Sequence, residues 1–292
     1  MANLSKKNDF AVILTVQRAN PNGDPLTGNR PRVTYEGLGE ISDVAIKRKI
    51  RNRLMEMGKA IFVQSDDNRE EGDPYRSLLA RAKNEIKVDP KKDEEYRKAA
   101  CEKWIDVRAF GQVFPIKGES KGQGASIGIR GPVSIHSAFS VAKVENRMTS
   151  LQITKSVSTQ EGKEGDAGKR GPDTMGMKHR VDHGVYVFYG SMNPQLASKT
   201  GFSDKDAAAI KEALRTLFIN DESSARPAGS MTVHKVYWWE HNSPNGQYSS
   251  AKVHRLLNVK VKDGITEPRS IDDYQIKMAE LPGLKCEIIE GE

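Results

Sequence analysis

The chain has 292 residues, 37% hydrophobic and only 7% aromatic, enough apolar material for one large core or two modest ones built on Val, Ile, Leu, Ala and Met. Its 46 basic and 39 acidic residues leave a formal charge of +7, which suits an anionic partner without requiring one. The two cysteines, Cys101 and Cys286, are too few and too far apart for a multi-cysteine zinc site or a disulfide framework. Residues 1–9 lack an apolar signal core, and no apolar run approaches the roughly 20 residues that span a bilayer, so a soluble, cytoplasmic protein is expected.

Residues 10–16 are short, β-rich and apolar on both faces, the pattern of a strand inside a sheet. The loop behind them, 18–40, opens with Asn-Pro-Asn-Gly-Asp-Pro at 20–25, dense in turn formers. Ser42 as N-cap and Gly58 beyond the C-terminus frame a helix whose Ile46, Ile50, Leu54 and Met57 recur at helical spacing. Residues 61–64 read as a short strand. Residues 66–104 are highly charged and helical in pattern, with Pro74 near one start and a second helix over 91–104, and read as an insertion.

From 106 to 144 strand chemistry returns, broken by a glycine-rich loop at 118–131. Residues 148–178 are polar and glycine-rich, the composition of a long loop or hairpin. Residues 181–189 form a strand. Ser203 caps a helix with Ile210, Ala213, Leu214 and Leu217 on one face, and 231–239 make a further strand. The series is the β-α-β-β-α-β order of a ferredoxin-like fold, interrupted twice. The fold class is therefore α+β, with an RRM-like body over 1–65, 105–147 and 179–292, a helical insertion over 66–104 and an arm over 148–178.

The helix starting after Ser42 carries Lys47, Arg48, Lys49, Arg51 and Arg53, with no acid between Asp43 and Glu56. Like charges crowded this way favour an anion such as phosphate, the plain alternative being a solvated face. The loop 18–32 supplies Arg18, Asn20, Asn22, Gly23, Asn29, Arg30 and Arg32, donors for phosphates and bases, or simply a long surface loop. Lys117, Lys121 and Arg130 surround the glycines of 118–131, whose spacing fits neither a triphosphate-binding nor a dinucleotide-binding loop. Lys155, Lys163, Lys169, Arg170, Lys178 and Arg180 would let the arm cross a nucleic acid strand.

His179, Asp182 and His183 make a poor metal site, because the two histidines stand about 13 Å apart along a strand and Asp182 points the other way. Asp24, Asp66, Asp67 and Asp166 are loop carboxylates that an RNA-cleaving site could use, but no nucleophile signature or catalytic carboxylate pair accompanies them. Tyr237, Trp238 and Trp239 could stack on bases, yet alternation sends the two tryptophans to opposite faces, as core residues would be.

Four segments in order carry a resemblance: the opening strand leading into Arg-Ala-Asn-Pro-Asn-Gly-Asp-Pro at 18–25, Asp-Val-Arg-Ala-Phe-Gly at 106–111, Arg-Gly-Pro-Val-Ser-Ile at 130–135, and 178–194. The chain resembles the RAMP-superfamily backbone subunit of type I CRISPR Cascade complexes, type I-C most closely. The resemblance implies a hand: a ferredoxin-like palm, helical fingers at 66–104 and a thumb at 148–178. It implies copies stacked along a CRISPR RNA, each thumb displacing a base at the neighbouring subunit while the other bases pair with target DNA. Large, small and guide-processing Cascade subunits are the further partners implied, with no membrane, metal or cofactor. Contacts to phosphate and sugar suit such a coat, since base pairing does the reading, and an arm laid over the next copy gives an interface that propagates without closing.

Carried onto this sequence, the resemblance assigns Arg18, Asn20, Asn22 and Gly23, with Lys47, Arg48 and Arg51, to the guide backbone. Arg108 and Gln112 would line the same groove, Arg130 completes the RNA-binding set, and Lys178, His179 and Arg180 would flank the displaced base. No catalytic residue is expected. The alternatives are a metal-dependent endoribonuclease, as in related type III subunits whose loop aspartate has no alignable counterpart here, or a general single-stranded nucleic-acid-binding protein.

Overall fold

The computed structural model describes residues 3–65, 69, 71–116, 125–154 and 175–292. In chain order the strand β1 (Asn8–Ala19) is followed by the small ladder β2 (Gly23–Asp24) and β3 (Arg30–Pro31), then β4 (Leu38–Ile41) and α1 (Asp43–Glu56). The helices α2 (Leu78–Glu85), α3 (Asp93–Lys103) and α4 (Ile105–Phe110) lead into β5 (Gly111–Ile116) and β6 (Ala125–Arg130). Next come β7 (Val133–Ile135), β8 (Ala138–Lys143), β9 (Met148–Thr154) and β10 (Met175–Met192), then α5 (Pro194–Thr200) and α6 (Asp204–Arg215). The chain ends through β11 (Met231–Glu240), α7 (Ser250–His254), β12 (Leu257–Val261), β13 (Tyr274–Met278) and β14 (Cys286–Glu290).

Strand β1 is buried on both faces, which forces it into the middle of the sheet. Phe10, Val12, Leu14 and Val16 enter one core, and Ala11 and Ile13 the other. β1 pairs antiparallel with β10 on one edge and β11 on the other. The eight-stranded antiparallel sheet of the described residues runs β14-β11-β1-β10-β8-β4, with β7 and β9 also on β10.

One face is covered by α1 and α6. Ser42 caps α1, whose Ile46, Ile50 and Leu54 are buried; a Ser203–Asp206 capping box opens α6, which buries Ile210, Ala213 and Leu214. The other face is covered by the chain after β11, where Val253, Leu256, Leu257, Tyr274 and Leu284 pack on Ile13, Val185 and Trp239. Trp238 and Trp239 do fall on opposite faces, both buried; Trp238 stacks on Phe10 at 5.5 Å and donates its indole N–H to Asn8 Oδ1 at 3.0 Å. Within this layer β12 and β13 pair, and each alternates apolar with polar residues (Leu257, Val259 and Val261; Tyr274, Ile276 and Met278), so that one face of each packs toward the sheet.

A third core joins α2 and α3 to the β5–β6 ribbon through Phe62, Tyr96, Trp104, Phe114 and Ile127. Three expectations are corrected here. Residues 61–64 are not a strand: the Phe62 and Val63 N–H groups donate to the buried carboxylate of Asp106 instead of to a ladder. The start of the 106–144 stretch is helical, because α4 buries Ile105, Asp106, Val107 and Ala109 and ends at Gly111, whose φ of 82° only glycine adopts readily. Within 118–131, β6 is a paired strand, not loop, in register with β5 from Gly111↔Arg130 onward; Lys117 and Lys121 lie outside the described residues.

Candidate nucleic-acid interface

The basic face of α1 is committed to partners within the chain, some on the helix itself and some far along the sequence. Arg51 Nε donates to Asp106 Oδ2 at 2.9 Å, with the guanidinium over the Phe110 ring. Lys49, nearly fully buried, pairs with Asp221; burial pushes its pKa down against the pull of that carboxylate. Arg53 reaches Thr216 Oγ1 and Glu56, Arg48 donates to the Val63 carbonyl, and Lys47 pairs with Asp43 at 2.9 Å. The expectation of an unpaired basic helix is corrected: Asp43 and Glu56 pair from the ends of the helix itself, and Asp106 and Asp221 arrive from distant segments.

Arg108 is likewise engaged. It donates to both oxygens of Asp206, at 3.1 and 2.7 Å, and to the Cys101 carbonyl, tying α4 to the cap of α6. Burial raises the Asp206 pKa, but the hydrogen bonds of Arg108 and Ser203 outweigh it and hold the carboxyl below its ordinary range. The Asp-Val-Arg-Ala-Phe-Gly motif is thus a fold staple in this chain. Gln112 lies apart, lining an apolar groove of about 650 Å³ with Val113 and Phe114, and Arg130 is exposed at the end of β6.

The loop after β1 is held mainly by its own asparagines. Asn20 Nδ2 donates to the Asn29 carbonyl at 2.7 Å, and Asn22 Oδ1 accepts from the Ser42 amide and hydroxyl at the start of α1. A Cβ at Gly23 would collide with Asn29, so glycine is required for that closure. Asp24 caps the turn at 25–27 and sits 3.6 Å from Arg32; Asp66, Asp67 and Asp166 lie outside the described residues. No cluster of three or more His, Cys, Asp or Glu suited to a metal occurs among the described residues.

Arg18 differs from its neighbours. Its φ is 51°, the left-handed region that costs a non-glycine residue about 1–2 kcal/mol, and the β1–β10 register steps from Gln17↔His183 to Ala19↔Val181 across it. Its side chain is exposed and, among the described residues, makes no hydrogen bond or ion pair. It opens onto a cavity of about 560 Å³ that also takes Arg147, Thr149, Arg180, Asp182, His183 and Arg269.

Four segments build that cavity: the end of β1, the turn into β9, the middle of β10, and the loop before β13. Arg147 is fixed by the Pro268 and Thr266 carbonyls at 2.6 and 3.2 Å, which docks the 266–269 loop onto the hairpin. Arg180 Nε lies 3.5 Å from Asp182 but has no hydrogen-bond partner, while Asp182 accepts from Thr149 Oγ1. Glu267 and Asp182 offset only part of the positive charge. Of the sequence-assigned residues, Arg18 and Arg180 meet here. Arg147 and Arg269 were missed, since neither stands in a basic run.

Strands β9 and β10 form a hairpin stem that leaves the sheet beyond Val181, with Thr154 opposite Met175. The expected arm over 148–178 is a paired ladder where described; residues 155–174, with Lys155, Lys163, Lys169 and Arg170, lie outside the described residues. Lys178 is exposed on the stem. His179 is buried, with Nδ1 2.7 Å from Ser150 Oγ.

An antiparallel sheet with helices on one face and an arginine-lined cavity at the root of a projecting hairpin defines an α+β protein. Residues 6–279 match the family model described as CRISPR-associated protein Cas7, and the chain belongs to that family. A relative from Haloferax volcanii, described as CRISPR-associated protein Cas7, is 25% identical over 294 residues, covering 94% of this chain and 81% of its own. Two solved chains are also similar. One, from a "CRISPR RNA-guided surveillance complex, pre-nicking", has 17% identity and a TM-score of 0.44, covering 80% of this chain and 78% of its own. The other, from a "CRISPR RNA-guided surveillance complex", has 19% identity and a TM-score of 0.43, covering 89% and 78%.

Proposed function

We propose that this chain is an RNA-coating backbone subunit of a CRISPR surveillance complex of the type I-C kind. Several copies would line a CRISPR RNA and leave its bases open to pair with a target DNA strand, alongside the other Cascade subunits. The observation that carries this reading is the cavity at the hairpin root, where Arg18, Arg147, Arg180 and Arg269 converge on a space open to solvent. Arginine is suited to phosphate by its fixed fork of donors. A coat indifferent to guide sequence needs contacts of that kind.

The strand order β11-β1-β10-β8, with α1 and α6 on one face, supports a ferredoxin-like palm. The α2–α3 unit then serves as fingers and the β9–β10 hairpin as the stem of a thumb. Within the RNA-binding set, Arg18, Arg180 and Lys178 take the direct role, joined by Arg147 and Arg269. Lys47, Arg48, Arg51 and Arg108 act by holding α1 and α4 to the palm, and the asparagines of the first loop by shaping the chain behind Arg18. The protein works by binding, without a chemical step of its own.

Nucleic acid copurified with the chain tests this directly. One RNA species of defined length supports the coat, and binding should weaken with salt at a slope of about −0.7 per phosphate neutralised. Mixed nucleic acid would favour a general single-strand binder, and RNA cleavage with Mg²⁺ or Mn²⁺ by the purified chain would favour an endoribonuclease.

A further inference from the structure

His183 is an anomaly within the arginine cavity. It is 6% exposed, it lines the cavity, and neither ring nitrogen has a hydrogen-bond partner. A buried polar group left unpaired costs about 1–3 kcal/mol, so native chains leave few. Its surroundings within the chain offer little remedy. The Tyr274 ring lies 5.9 Å away and makes no hydrogen bond to His183. Burial, then the charge of Arg147, lowers the His183 pKa against a weaker pull from Asp273, so the ring is neutral at neutral pH. A neutral imidazole offers one N–H donor and one acceptor nitrogen.

The ligand group that answers it must meet two conditions. It must be present in every nucleotide, because a coat takes guides of any sequence, so a base edge is unsuitable. It must both donate and accept. Phosphate is unsuitable, because its oxygens could accept from the N–H but would leave the acceptor nitrogen bare, and the arginines already serve phosphate. The ribose 2′-hydroxyl meets both conditions, and DNA lacks it.

We propose that the cavity seats one ribose of a bound RNA strand with His183 hydrogen-bonded to its 2′-hydroxyl, making this the point at which the protein tells RNA from DNA. The inference rests on the RNA-coating reading above and adds a discriminating residue to it. The space of about 560 Å³ is ample for a sugar and its flanking phosphate between Arg18 and Arg180.

The test titrates the full chain with a labelled RNA, the same sequence as DNA, and an RNA lacking its bases. Wild type should prefer RNA to DNA by about tenfold per occupied cavity, the value of one buried hydrogen bond whose loss leaves a group unpaired. The base-free RNA should keep that preference. His183→Phe, which keeps a buried ring, should bring RNA affinity down to the DNA level. His183→Gln, which restores a donor and an acceptor, should recover part of the difference; it also covers the case in which the Phe variant unfolds, which its urea curve reveals. A folded His183→Phe protein that retains the wild-type RNA-to-DNA ratio overturns the proposal. So does a wild type that binds both strands equally, or a preference that vanishes with the bases. A wild type that binds neither strand overturns the RNA-coating reading and this inference with it.

Discussion

Arg51 and Asp106, far apart in sequence, meet at 2.9 Å, and the same carboxylate accepts the Phe62 and Val63 amides at 2.8 and 3.1 Å. Asp106 is fully buried. Removing one member of a buried pair leaves the other charge without a partner, at about 3–5 kcal/mol. Asp106→Ala should therefore lower unfolding stability by that amount, read as a shift of the urea midpoint. RNA affinity of the protein that stays folded should change less than twofold. A stable Asp106→Ala variant that no longer binds RNA would return the α1 basic face to the binding surface.

This pair also marks the limit of what the sequence could disclose. The elements with strong local signals were legible: β1 by its two-sided apolar run, α1 and α6 by their serine caps and apolar stripes, β11 by its aromatics. What was not legible depended on distance. Lys49 and Arg51 looked unpaired because Asp221 and Asp106 lie far along the chain. α4 sits among β-formers and is helical because its buried residues pack on neighbouring elements, a tertiary override of propensity. For the same reason Arg18 and Arg180 could be named from sequence while Arg147 and Arg269 could not: single arginines in separate turns acquire meaning only when the fold brings them together.

Arg18 holds a left-handed backbone at φ 51° with no internal partner for its side chain among the described residues. Glycine accepts that conformation freely. Arg18→Gly should leave stability unchanged or raise it by up to about 1 kcal/mol. It should weaken RNA binding and reduce the salt slope by about 0.7, the value of one phosphate no longer neutralised. Opposite signs on stability and binding are the mark of strain retained for a ligand. A variant that loses stability and keeps its RNA affinity would make Arg18 a structural residue.

The Arg108–Asp206 pair predicts a pH signature. The folded-state pKa of Asp206 lies below its unfolded value, chiefly because Arg108 and Ser203 outweigh burial. Its contribution is therefore fully present above the unfolded value of about 4 and is lost as pH falls through the lower folded value. Asp206→Asn should be about 1.5–3 kcal/mol less stable than wild type at neutral pH, the range for hydrogen bonds to a charged group. That gap should stay constant down to about pH 5 and close as the pH drops further. Urea midpoints across pH 2–7 measure it, and a gap that persists unchanged at the acid end would contradict the assignment.

The hairpin supplies the sharpest division between folding, binding and assembly. Thr154 and Met175 are directly opposed at the end of the β9–β10 ladder. A two-residue Asn-Gly loop can join such a pair in a type I′ turn whose twist matches the strands. Replacing 155–174 with Asn-Gly should therefore leave the ladder closed and the palm folded. The shorter connection should add up to about 2 kcal/mol of stability through reduced loop-closure entropy. Arg18, Arg147, Arg180 and Arg269 remain in place, so the variant should still bind short RNA. It loses Lys155, Lys163, Lys169 and Arg170, the basic residues that the proposed assembly assigns to contact with a neighbouring copy. On a long RNA, wild type should then build a ladder of regularly spaced complexes in a mobility-shift gel, and the variant should give scattered single occupancy. If the shortened chain builds the same ladder as wild type, the segment is not the thumb, and the interface between copies lies on the palm or the fingers.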